Sequence, residues 1–177
     1  MDIKTVFFLL LSFLLGGHNQ LAADDNASAA NSPYKLGEIR LLSSHSEITT
    51  RYKKIGSCLV VDGIEADCRY HDWHGISYVV FEGEVVRIEA NRESLRKGAR
   101  LPFGLAVGDG RALVLKKLLR YRNVAGVEAL LTGLRSGGKN VSVQVEDISL
   151  GQESYQFYLV FDGHDDLLTV GSMVTVI

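Results

Sequence analysis

Apolar and polar positions follow three rhythms along this chain. The first is a block. Met1-Asp2-Ile3-Lys4 carries one lysine, and the uncharged apolar run Thr5 to Leu15 follows it for 11 residues. Gly16-Gly17, a short polar stretch and Leu21-Ala22-Ala23 come next. This basic, apolar, small-residue order is that of a cleavable secretory signal peptide over 1–23. The run is shorter than the roughly 18 to 20 residues a bilayer-spanning helix needs. Residues 24–33 (DDNASAANSP) are small and polar and read as a disordered leader before the folded part.

The second rhythm is helical. Ser44 with Glu47 three residues on has the form of a capping box, and Ile48, Tyr52 and Ile55 share one helical face. A first helix is therefore predicted over Ser44–Ile55, ended by Gly56. A second is predicted over Arg111–Arg122, with Asp109 as its N-cap. Val127–Leu134 fits strand and helix alike. The third rhythm is alternation, which predicts strands at Cys58–Val61, Ile64–Tyr70, Ile76–Phe81 and Val85–Ala90. In the second half it predicts Val141–Val145, Tyr155–Phe161 and Leu167–Val170. Asp62-Gly63 and Glu82-Gly83-Glu84 mark tight turns.

These elements describe an α+β fold in two halves, a first repeat over 34–90 and a second over 104–177, joined by a polar connector over 91–103. The halves echo one another: Tyr78-Val79-Val80-Phe81-Glu82-Gly83 returns 80 residues later as Tyr158-Leu159-Val160-Phe161-Asp162-Gly163. The expected architecture is a tandem repeat of a helix followed by antiparallel sheet, the two copies sharing one core.

The phrase Gly104-Leu105-Ala106-Val107-Gly108-Asp109-Gly110-Arg111-Ala112-Leu113-Val114 resembles the lead into the helix in two related groups, the β-lactamase inhibitory proteins and the small outer-membrane assembly lipoproteins. The resemblance spans roughly Tyr34 to Ile177. It implies a helix or helical hairpin placed before an antiparallel sheet. In the inhibitory type that unit is repeated in tandem, with short-range disulfides inside a repeat. It also implies a protein that binds proteins and is not an enzyme. No partner-contacting residue of those groups can be matched onto this chain.

Composition narrows the chemistry. The 177 residues include 19 basic and 21 acidic side chains, a net charge of −2, with no clustered basic face for nucleic acid. The two cysteines, Cys58 and Cys68, flank a hairpin pattern, and export into an oxidising compartment predicts that they pair. His71-Asp72-Trp73-His74 carries two histidines three apart, but a third metal ligand is not evident nearby. Asp162 to Asp166 collects carboxylates without a calcium-loop spacing and reads as a solvated turn. No nucleophile elbow, zinc-protease pair or phosphate loop is present, so neither catalytic residues nor a cofactor or metal is assigned. The expected function is that of an exported, periplasmic or secreted, non-catalytic protein-binding module, an inhibitor or immunity-type protein. Tyr70, Trp73 and Tyr155 are its candidate contact residues, because tyrosine and tryptophan are enriched at interface centres. The alternatives are a structural cell-envelope protein, or a small-ligand binder or enzyme.

Overall fold

The computed structural model describes residues 32–61, 64–146 and 154–175. The expected signal peptide, nearly all of the leader and the Asp62-Gly63 turn lie outside the described residues. The fold is that of the unit beginning at Pro33.

Its strands are β1 (Lys35–Leu36), β2 (Ile39–Arg40), β3 (Tyr52–Ile55), β4 (Leu59–Val61), β5 (Ile64–Ala66), β6 (Cys68–Asp72), β7 (Ser77–Phe81) and β8 (Glu84–Ala90). Helices α1 (Arg92–Arg96), α2 (Arg111–Leu118) and α3 (Val127–Arg135) come next, then β9 (Asn140–Glu146), β10 (Ser154–Phe161) and β11 (Leu167–Thr175). Seven strands form one antiparallel sheet in the order β3-β6-β7-β8-β11-β10-β9. The α+β class is as expected. Cys58 and Cys68 are joined in a disulfide that closes the β4–β5 ribbon.

Three helical expectations are corrected. Ser44–Ile55 is not an α-helix. Ser44 caps only a 3-10 turn, His45–Glu47, and the chain then extends into β3, paired with β6. Ile48-Thr49-Thr50 is a β-branched run that disfavours helix, and Tyr52 and Ile55 stay exposed, so no apolar helical face is buried. α2 stops at Leu118 and tightens into a 3-10 turn over Leu119–Tyr121. Its N-cap is Gly110, not Asp109, whose carboxylate instead accepts from Ala106 N at 2.8 Å and Lys117 Nζ at 2.7 Å. Val127–Leu134 resolves as helix: Val127, Leu130, Leu131 and Leu134 form one buried stripe. α3 lies close over β9, because a Cβ on Gly133 would stand 2.7 Å from Val141 Cγ1.

Apart from the edge strand β3, the strand order is symmetric about the β8–β11 pair, with β6-β7-β8 on one side and β9-β10-β11 on the other. The helices are not symmetric. Among the described residues no α-helix precedes the first set of strands, whose covered face is closed by Leu36, Ile39, Leu41 and the 3-10 turn. The two sextets are also out of phase. Tyr78 is 1% exposed and Phe81 43%, whereas Tyr158 is only half-buried and Phe161 is 3% exposed. The turns that follow differ as well. Phe81 pairs with Glu84 across two residues, Glu82 and Gly83, both at positive φ, the primed hairpin geometry. Phe161 pairs with Leu167 across a five-residue loop. A one-residue difference in phase sends every side chain to the opposite face.

Candidate functional site

One face of the sheet packs on the helices and the β1–β2 hairpin. The other, open face carries side chains that are mostly partly exposed. Alternation assigns the open face Arg69 and His71 from β6, Ser77 and Val79 from β7, and Arg87 and Glu89 from β8. From β11 and β10 it assigns Met173, Gln156 and Tyr158.

A hydrogen-bonded triad holds the centre of this face. Tyr158 lies across Gly171 of the neighbouring strand, where a Cβ would stand 2.4 Å from its ring and hydroxyl. The glycine therefore makes room for the ring. Tyr158 Oη reaches Glu89 Oε1 at 2.6 Å, and Arg87 closes the set through Nη2 to Glu89 Oε1 at 2.7 Å and Nε to Tyr158 Oη at 3.2 Å. Burial disfavours the charge of Arg87, but Glu89 and Tyr158 outweigh it and raise its pKa. Burial and the bond to Glu89 push the Tyr158 hydroxyl well above the usual range. The triad ties the two halves together across the β8–β11 junction.

Trp73 stands at the rim, 69% exposed, with its backbone N–H donating to Arg51 O at 2.8 Å. It borders a groove of about 520 Å³ lined by Tyr52, Lys53, Glu93 and Lys97 among others. Tyr70 is half-buried on the covered face, stacked on Tyr78 at 5.2 Å and against His45 at 4.4 Å. Tyr155 is 2% exposed and packs edge-on to Tyr34, so it is a core residue and offers no contact surface. The spacing of Tyr155, Phe157, Leu159 and Phe161 is the signal that places it there, since one phase of a strand shares one face. Tyr158, in the other phase, is the tyrosine on the open side.

The four residues His71 to His74 serve separate purposes. His71 Nδ1 meets Ser77 Oγ at 3.0 Å, and His74 is exposed. Asp72 is buried and its Oδ1 accepts from Ile76 N at 2.7 Å, pinning the β6–β7 turn. Among the described residues no three His, Cys, Asp or Glu side chains are grouped to hold a metal. The acidic turn after β10 uses its own carboxylate: Asp162 Oδ1 accepts from His164 N at 2.8 Å and Asp166 N at 3.1 Å. Those bonds, first the one from His164, hold Asp162 below the usual range.

Asp72 gives a pH-dependent prediction. Burial raises its carboxyl above the ordinary value of 3.8, despite the Ile76 N–H. Between those two values the folded state holds the proton that the unfolded state has released. Rising pH through that window therefore favours unfolding, and below 3.8 the effect vanishes. Asp72→Asn keeps an acceptor for Ile76 and removes the titration. Its stability relative to wild type should rise with pH across the window, as measured by urea unfolding at a series of pH values. A constant difference would show that Asp72 does not titrate abnormally.

No helix among the described residues is long and apolar enough to cross a membrane. Compared with known protein families, curated proteins and solved structures, the chain matches none.

Proposed function

We propose that this chain is an exported, non-catalytic protein-binding module, an inhibitor or immunity-type protein that presents the open face of its sheet, with Trp73 at the rim, to a secreted or envelope protein. The observation that carries the reading is the open face itself, a surface of several strands with a rigid Arg87–Glu89–Tyr158 centre. A preorganised surface loses little side-chain freedom on binding. An exposed tryptophan beside it supplies the kind of anchor that dominates interface energetics. The disulfide supports the exported, periplasmic or secreted location. The symmetric order of β6 to β11, with β3 as an added edge strand, supports descent from a tandem helix-and-sheet unit, as in the β-lactamase inhibitory proteins, with the first helical layer replaced by the β1–β2 hairpin.

The test is capture of a partner from envelope and culture-supernatant extracts by the oxidised protein, followed by affinity measurement. Trp73→Ala should weaken that partner by about 2 kcal/mol or more. Gln156→Glu, which places a negative charge on the open face in the row of Arg87, should weaken it as well. A stoichiometric partner indifferent to both substitutions would refute the assignment of this face.

A further inference from the structure

We infer that the open face contains a receptor pocket for one carboxylate side chain, aspartate or glutamate, of the protein partner; the inference rests on the protein-binding reading above. Two cross-strand rows build it. Arg69, Val79 and Arg87 lie opposite one another on β6, β7 and β8, and His71, Ser77 and Glu89 form the next row. Val79 is short and its two flanking arginines are long, so the row has a low apolar floor between basic walls. The resulting cavity is about 270 Å³.

Charge decides what the cavity takes. Among the described residues Glu89 is the one acidic side chain lining it, and Arg87 and Tyr158 already hold it. Arg69 has no acidic partner among the described residues. The pocket therefore has a surplus guanidinium, with the imidazole of His71 beside it. Arg87 uses Nε and Nη2 internally, which fixes the plane of its guanidinium and leaves Nη1 as a donor. A guanidinium fork matches a carboxylate through two parallel N–H bonds. The bond between His71 and Ser77 fixes the far wall. The apolar floor of Val79, with Ile55 beyond Arg69 at the outer edge, suits the methylenes of an acidic side chain better than a free inorganic anion.

The test is a titration of the isotope-labelled full chain, followed by amide NMR at low ionic strength. Its probes are N-acetyl-Ala-Glu-Ala-amide, the matching Gln peptide and inorganic phosphate. The Glu peptide should produce saturable shifts at Arg69, Val79 and Arg87, and the Gln peptide should bind at least tenfold more weakly. Arg69→Gln should lower the Glu-peptide affinity at least tenfold with the unfolding midpoint unchanged, and Arg69→Lys should recover only part of it. Equal binding of the two peptides, an indifferent Arg69→Gln, or phosphate binding without peptide binding would each overturn the inference. A captured partner that binds wild type and Arg69→Gln equally would overturn the inference and leave the protein-binding reading standing. Peptide binding lost in Arg69→Gln, with no partner captured from any extract, would support the pocket and sink that reading instead.

Discussion

Truncating Phe161 to alanine should cost roughly 3–5 kcal/mol of folding stability, while the same change at Phe81 should cost less than about 1 kcal/mol. The two phenylalanines occupy the same position in two nearly identical sextets, so local sequence predicts equal effects. Their environments differ. Phe161 is buried in the core with the Arg111 guanidinium 4.4 Å from its ring centre, and Phe81 is exposed at the end of β7. Removing a buried ring takes away its transfer energy and leaves a cavity that the sheet and helices cannot fully close. Removing an exposed ring does neither. Urea unfolding measures both, with the midpoint shifting and the slope constant. Equal costs would mean that the sextets face the same way and that the strand phase described here is wrong.

The second large effect is that of the disulfide. Replacing Cys58 and Cys68 together by serine should cost about 3 kcal/mol, the loop-closure entropy expected for a sequence separation of 10 residues. The cost falls mainly on the unfolded chain, which the bond restricts. In the folded state the β4–β5 ribbon is a separate two-stranded sheet, with Leu59 and Val60 exposed. A two-stranded ribbon is marginal by itself, so the closure also keeps its strands together. Denaturation with and without reductant reads the effect directly, and the serine variant should be insensitive to reductant. Identical midpoints for oxidised and reduced wild type would exclude a stabilising role.

Much of the second half was legible. Alternating Val141, Val143 and Val145 is a strand with one buried phase, and the spacing of Tyr155, Phe157, Leu159 and Phe161 marks the core side of β10. The hairpins and the cysteine pairing were legible too, because each depends on residues close in sequence. The region from Ser44 to Ile55 was not. Its capping residues are real and do cap a turn, but pairing of Tyr52–Ile55 with β6 outweighs a short helical pattern that has nothing to bury against. Asp109 misled for a related reason: Lys117 and Ala106 take up the carboxylate expected at the helix terminus.

The sequence by itself determined most of the strands, the closed ribbon and which phase of each late strand is apolar, since these follow from local periodicity and from the chemistry of neighbouring residues. It gave neither β3 nor the break at Asp67 that divides the expected Ile64–Tyr70 strand into β5 and β6 of different sheets. Only the tertiary structure decided that β8 pairs with β11, that the two sextets face opposite ways, and that Arg87, Glu89 and Tyr158 meet. Those outcomes depend on turn length and on the register between strands some 70 residues apart in the chain. Register is set by the whole buried face at once, and no short stretch of sequence contains it.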